Sequence, residues 1–203
     1  MPEPTTPAIP RPDPKDPIRV VVVSAGLSEV SSTTRLGQFV ADETCRQVRA
    51  RDQRCEIVHI ELRHIALAVT QTLISGQVAP EVAAAHEQIA RADAMVAATP
   101  TINASFSGLL KSFFDTLPVD LLRGLPTVIA ATGGTQRHTL VLDSAVRPML
   151  AYLRAVVLSS ALFVTADEWE GTAPSQELAE RISAAATELI HYAWAARVGT
   201  FAI

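Results

Sequence analysis

Residues 20–34, VVVVSAGLSEVSSTT, constrain the fold of this chain more than any other stretch. Four consecutive valines end at Ser24 in a small, hydroxyl-rich loop, after which Leu36, Phe39, Val40 and Val48 recur at helical spacing. The valine run is apolar without alternation, which suits a strand buried on both faces of a parallel sheet. A strand, a tight loop and a helix start therefore follow one another. A junction of this kind points the free N–H groups and the positive dipole end of the helix at whatever lies above the strand. Ser31, Ser32, Thr33 and Thr34 surround that point with hydroxyls, and Ser24 closes the strand beneath them. Helix capping needs one such hydroxyl; four make the loop a candidate phosphate cradle. Two familiar phosphate motifs are missing. No lysine-bearing Gly-x-x-x-x-Gly-Lys-Ser/Thr loop is present, and Gly26 is the only glycine of the segment, so the three-glycine dinucleotide fingerprint fails as well.

The 203 residues suit one domain with a substantial core. With 48% hydrophobic and 19% charged residues, the chain is too apolar to be disordered. It lacks the unbroken apolar span of about 18 residues that a membrane helix requires. A net charge of −4 gives no electrostatic reason to expect nucleic acid or an anionic membrane surface as partner. Cys45 and Cys55 have no metal-ligand spacing and are expected to be buried structural residues; no metal site is expected. The lack of a signal peptide agrees with a reducing cytoplasm. Residues 1–17, MPEPTTPAIPRPDPKDP, read as a disordered, partly extended tail, leaving residues 18–203 as the domain.

Along that domain, strands are predicted at residues 55–60, 94–99, 126–131 and 156–165 in addition to the first. Helices are predicted from Pro80 to about Arg91 and over residues 108–117, 138–154 and 176–197, with Pro148 as a break or kink. Residues 61–79 read as an irregular stretch of helical tendency ending at Gly76. Alternation of strands and helices implies a three-layer α/β fold, a parallel sheet with helices on both faces. Five strands favour the flavodoxin-like order 2-1-3-4-5, in which ligands lie at the carboxyl ends of the strands near the order reversal. That rule brings together the loops after strands one, three and four: SAGLSEVSSTT, TPTINASFSG and TGGTQRH.

These loops carry a resemblance. The hydroxyl-rich first loop, then TPTINASFSGLLK over residues 99–111, then ATGGT over residues 131–135 with His138 following, is similar to the NADPH-dependent FMN reductase family. It most resembles the FMN reductases that serve two-component flavin monooxygenases of the alkanesulfonate and luciferase-like type. The resemblance runs from Ile18 to the last helix. It implies that Ser31, Ser32 and Thr33 bind the FMN phosphate above Ser24, and that Pro100, Thr101, Ile102 and Asn103 run along the isoalloxazine and ribityl chain. It also implies that Thr132, Gly133 and Gly134 meet the pyrimidine edge, where glycines allow close backbone approach. Ser28 and Glu29 stand where many members carry an arginine, and Ile102 replaces a common tyrosine.

The activity so implied is hydride transfer from NADPH, or NADH, to FMN, with reduced FMN passed to a partner monooxygenase. Two stacked rings held in register suffice for that step, so no catalytic acid, base or nucleophile is expected. A quinone, azo-dye or metal-ion reductase that retains its FMN is an alternative within the same enzyme class. A non-catalytic flavodoxin-like electron carrier is an alternative outside it. The apolar helix containing Leu109, Leu110, Phe113 and Phe114, preceded by Phe106, suggests a homodimer or tetramer.

Overall fold

The valine run becomes β1, Ile18–Ser24, and both of its edges are paired. The structure, a computed structural model, describes residues 16–198. From β1 the chain passes through α1 (Ser32–Arg49), β2 (Cys55–Glu61), α2 (Leu62–Ser75) and α3 (Pro80–Ala90) to β3 (Ala94–Ile102). Then come a two-residue strand β4 (Ser105–Phe106), α4 (Gly108–Phe114), β5 (Pro126–Thr132), α5 (Arg147–Tyr152) and β6 (Val156–Val164). A small antiparallel pair, β7 (Trp169–Glu170) and β8 (Ala173–Pro174), precedes the closing helix α6 (Gln176–Arg197). The parallel sheet has the order β2-β1-β3-β5-β6, with β4 folded back antiparallel on β3. Counting the long strands alone, this is the 2-1-3-4-5 order expected from the sequence, and the reversal falls between β1 and β3.

The sheet has a core on each face, which is why the strands are apolar without alternation. Val20, Val22, Val96 and Ala98 face Leu36 and Val40 of α1 and Leu178 and Leu189 of α6. Val21, Val23, Met95 and Ala97 face the opposite layer, built from α2, α3, α4 and α5. Leu110, Phe113 and Phe114 of α4 are buried in that layer within a single chain. Their apolar character is therefore spent on the core and gives no argument for self-association, contrary to the expectation drawn from the sequence.

Three other readings change. Residues 62–75 form a regular helix rather than an irregular stretch, stopped by Gly76 in the left-handed region at φ 69°, whose N–H bonds the Thr72 carbonyl. The predicted helix over residues 138–154 is a 3-10 turn at Gln136–His138, a π-helical turn at Leu142–Val146 and then α5. The helical run is continuous over residues 141–152, and Pro148 follows its π turn directly, the wider turn accommodating the ring and the missing N–H. Cys45 of α1 and Cys55 of β2 are buried, as expected, but they are joined in a disulfide. The tail expected over residues 1–17 falls outside the described residues except for Asp16 and Pro17. Pro17 is buried, and the Asp16 carbonyl accepts from Arg197 Nη1 at 2.8 Å. Arg197 also pairs with Asp93 at 2.6 Å, the two side chains being 5% and 6% exposed, and so ties the end of α6 to the foot of the sheet.

Candidate active site

The first loop is built around the start of α1. Ser31 is the N-cap: its Oγ accepts from the Thr34 N–H at 3.2 Å. The N–H groups of Ser32 and Thr33, in the first turn, have no intrahelical acceptor and point outward from the helix end. Ser24 Oγ and Thr34 Oγ1 are 2.8 Å apart, and the Ala25 N–H donates to the Ala98 carbonyl at 2.9 Å, so the loop is fixed to both β1 and β3. Gly26 is packed so tightly that a Cβ there would lie 2.0 Å from Ser31 Oγ.

The hydroxyls expected to meet a phosphate are not equivalent. Ser32 is exposed, whereas Ser31 is 9% and Thr33 2% exposed. Thr33 Oγ1 lies 2.6 Å from Thr132 Oγ1, at the end of β5. This bond spans 99 residues of chain and locks the first loop to the third. No sequence signal links the two threonines in advance. Ser32 and the helix N–H groups are thus the open donors, while Ser24, Ser31 and Thr33 hold the cradle in shape.

The second loop is a tight hairpin. Ile102 pairs with Ser105 and Thr101 with Phe106, leaving Asn103 and Ala104 as the turn. Both are left-handed, at φ 49° and 64°. A two-residue turn with both central residues left-handed is the type that suits antiparallel strands; asparagine is favoured in it, and alanine stands where glycine is usual. The hairpin leaves Ile102, Asn103 and Ala104 exposed at the sheet edge. Its base is fixed by the Ser107 N–H, which donates to the buried Thr99 Oγ1 at 2.9 Å. Pro100 is half-buried and continues the strand. The Thr101 hydroxyl is enclosed and has no hydrogen-bond partner among the described residues.

The third loop leaves β5 at Thr132. A Cβ on Gly133 would lie 2.6 Å from the Phe163 ring, whereas one on Gly134 would meet nothing within 4 Å. Gly133 is therefore glycine for packing, and Gly134 presents open backbone to the space above the sheet. Gln136 holds this loop to the segment after β6, with Nε2 3.2 Å from Thr165 Oγ1 and 3.1 Å from Glu168 Oε2. That segment carries two features not anticipated from the sequence: Trp169 packs on Phe39 of α1, centroids 5.9 Å apart, and the Arg35 guanidinium lies 5.6 Å from the Trp169 ring centre.

All three loops meet at the carboxyl edge around the order reversal. Their donors are hydroxyls, helix N–H groups, the amides of Asn103 and Gln136, Arg137 and His138, and the only carboxylate among residues 24–34, 99–108 and 132–138 is Glu29. This set fits FMN: a helix N-terminus with an open serine for the phosphate, an exposed hairpin beside it, and Gly134 with room for a ring to approach its backbone. Among the described residues no group of His, Cys, Asp or Glu could hold a metal ion. A groove of about 630 Å³ runs between α1 and α6, lined by Phe39, Glu43, Ile182 and Ser183 among others, and contains no residue of the three loops. Glu43 there is held down to about 2 by hydrogen bonds from Arg46, which outweigh the opposing effect of burial, with Gln47 and Ser183 assisting.

Comparison with known proteins agrees with this geometry. The profile of the family described as NADPH-dependent FMN reductase matches residues 18–170. An FMN reductase (NADPH) of Pseudomonas aeruginosa is 34% identical over 171 residues, 84% of this chain and 89% of that protein. An NADH-dependent FMN reductase, SfnE, of Pseudomonas putida is 32% identical over 175 residues, covering 86% of this chain and 91% of its own. Among solved structures, an oxidoreductase from Corynebacterium diphtheriae superposes with a TM-score of 0.83 at 35% identity, covering 88% of this chain and 97% of the other. With a strand order, three edge loops and a matched segment that all coincide, the chain belongs to the NADPH-dependent FMN reductase family.

Proposed function

We propose that this flavin reductase uses FMN as an exchanging substrate, reduces it with NADPH or NADH, and releases it to a partner flavin-dependent monooxygenase. The observation that carries the reading is the make-up of the three edge loops. They offer open hydrogen-bond donors for one phosphate, exposed backbone for one ring, and no tryptophan or tyrosine to sandwich that ring. When bound, FMN supplies the hydride-accepting N5 of its isoalloxazine. The chain's task is positional: Ser32 and the first N–H groups of α1 anchor the phosphate, with Ser31 and Thr33 shaping the cradle around it. The Ile102–Ala104 turn and Gly133–Gly134 set the height of the ring over the sheet edge. No side chain need move a proton, since orientation of two rings accounts for the acceleration required.

A ring held by backbone on one side keeps its other face open to nicotinamide, and then departs. The chain acts in the cytoplasm, where reduced nicotinamide nucleotides are made, and assembles as a homodimer or tetramer. The surface available for assembly lies on α2 and near α5, where Leu67, Ile74, Leu140 and Tyr152 are 88%, 83%, 67% and 86% exposed. Among the described residues no helix is long and apolar enough to cross a membrane.

The test is steady-state NADPH and NADH oxidation with and without added FMN, on protein purified in the absence of flavin. Oxidation that saturates with free FMN, from largely colourless protein, is expected. Protein that purifies with stoichiometric FMN surviving dialysis, and that reduces quinones or dyes without added flavin, overturns the exchanging-substrate reading in favour of a retained prosthetic group.

A further inference from the structure

Most cations among the described residues are compensated. Arg19, Arg46, Arg63, Arg91, Lys111 and Arg123 each face a carboxylate within 4 Å, and Arg147, Arg154, Arg181 and Arg197 do the same. Arg49 and Arg51 donate to backbone carbonyls instead. Arg35 and Arg137 differ. Among the described residues the Arg35 guanidinium meets only the Trp169 ring, and the Arg137 side chain makes no hydrogen bond or ion pair. Both stand at the carboxyl edge of the sheet, Arg35 in the first turns of α1 directly after the cradle, Arg137 in the loop after Gly134. In a protein of net charge −4, two arginines whose side chains meet neither a carboxylate nor a carbonyl, one at the start of α1 and one in the third loop, mark a place where anionic ligands supply the countercharge.

The two are built differently. A helical side chain leans toward the N-terminus of its helix, and Arg35 stands one turn after Ser31 and Ser32, on the helix start that frames the cradle. Stacking on Trp169 at 5.6 Å is within cation–π range and fixes the guanidinium in advance. Two carboxylates flank Trp169 in sequence: Glu168 is committed to Arg181 and to the Thr165 N–H at 2.8 Å, and neither it nor Glu170 pairs with Arg35 among the described residues. Arg137 is exposed, on a loop that faces solvent above the glycines.

We infer that Arg35 and Arg137 are the phosphate-reading residues of this site, Arg35 for the phosphate monoester of FMN and Arg137 for the phosphates of the nicotinamide nucleotide. The inference rests on the proposed flavin reductase activity and assigns its specificity. Arg35 adds to the neutral hydroxyls a charge-assisted bond that riboflavin, lacking the phosphate, does not use. Arg137 reaches the second substrate, whose phosphates arrive from solvent as its nicotinamide covers the open ring face.

The experiment compares wild type with Arg35→Gln, Arg35→Lys and Arg137→Gln, each checked for folding by circular dichroism and thermal melting. Equilibrium dissociation constants are measured by flavin fluorescence for FMN and riboflavin at several salt concentrations, and KM is measured for NADPH and NADH. Arg35→Gln is expected to weaken FMN about tenfold, the equivalent of about 1.4 kcal/mol, with riboflavin changed less than about twofold and a shallower salt dependence. Arg35→Lys recovers part of the loss. Arg137→Gln is expected to raise KM for both nucleotides while FMN affinity holds. Equal losses for FMN and riboflavin, or none, overturn the assignment of Arg35, and a fall in the NADPH/NADH preference in that variant transfers its role to the 2′-phosphate and overturns the FMN arm. Unchanged nucleotide KM overturns the assignment of Arg137. Wild-type protein that neither binds FMN nor oxidises nicotinamide nucleotide with it sinks the functional reading itself, an outcome separate from either arginine's.

Discussion

Gly26→Ala tests whether the first loop is as tightly determined as its geometry indicates. A Cβ at this position would lie 2.0 Å from Ser31 Oγ, 2.8 Å from Ser31 Cβ and 2.9 Å from Thr34 Oγ1. Ser31 is 9% exposed and its hydroxyl holds the Thr34 N–H, so it cannot rotate clear without giving up the cap. Loss of an N-cap costs about 1 kcal/mol, and overpacking a tight site costs roughly 1–3 kcal/mol. Together they give about 2–4 kcal/mol. For a chain of this size each kcal/mol moves Tm by roughly 2–4 °C, so a fall of roughly 5–15 °C is expected. The displaced loop also misplaces the phosphate donors, and loss of one charge-assisted bond weakens FMN by about tenfold or more. Differential scanning calorimetry and fluorescence titration with FMN measure the two effects. Gly134→Ala is the contrasting variant: its Cβ meets nothing within 4 Å, so Tm should hold while FMN weakens. A Gly26→Ala protein with unchanged Tm and unchanged FMN affinity would refute the account of the cradle.

Ser32→Ala should weaken FMN several-fold at constant Tm, because this hydroxyl is exposed and caps nothing; a titration and a melt decide it. Thr33→Val should lower both Tm and FMN affinity, since it breaks the 2.6 Å bond between the first and third loops and leaves Thr132 without its partner, at a cost of about 1–3 kcal/mol. Glu43 is held to about 2 in the folded state against an ordinary 4.5, so its contribution is complete above pH 4.5 and is lost as pH falls through 2. Glu43→Gln should therefore cost about 1–2 kcal/mol at pH 7, after a discount for the 68% exposure of Arg46, with the difference shrinking as pH falls from 4.5 toward 2, as read by urea denaturation across pH. Replacing both Cys45 and Cys55 by alanine should cost about 2–3 kcal/mol, the value for a closed loop of 10 residues, with FMN turnover preserved in the folded protein.

The architecture was legible because the signals that specify it are local. Unalternating strands such as residues 20–24 and 94–99 announce burial on both faces, and each is followed by a helix, so the sheet order and the meeting of three loops follow from topology rules. Pairings between distant residues were not legible. Thr33 and Thr132 each read as loop hydroxyls for a ligand, and only the fold turns them on one another. Phe113 and Phe114 looked too apolar for one core because the sequence does not say how many layers α4 touches; it is enclosed by its own chain. The helix over residues 62–75 is legible only as a helical tendency ending at Gly76, because Thr70, Thr72 and Ser75 interrupt its apolar pattern. Trp169 lay in a polar stretch with no periodicity, and Arg35 looked like an ordinary helix residue, so their contact had no signal in either segment.

Packing beneath α1 explains how a first loop can reach the third across an intervening strand. On α1, Gly37 lies directly against the sheet: a Cβ there would lie 2.8 Å from Val22 Cγ1 and 3.4 Å from Ala98 Cβ. Ala98 of β3 and Ala130 of β5 keep the sheet surface low on the same side, and both are fully buried. A helix seated this close extends over β1, β3 and β5 at once. Its first turn is then within reach of Thr132, and the 2.6 Å bond from Thr33 closes the gap. Small residues far below the site thus set the height of the helix N-terminus, and with it the distance between the phosphate anchor and the backbone at Gly134 that faces the ring. Enlarging Gly37 would raise α1 from the sheet and lengthen that span, which makes the spacing between phosphate and ring a property of the core as much as of the loops.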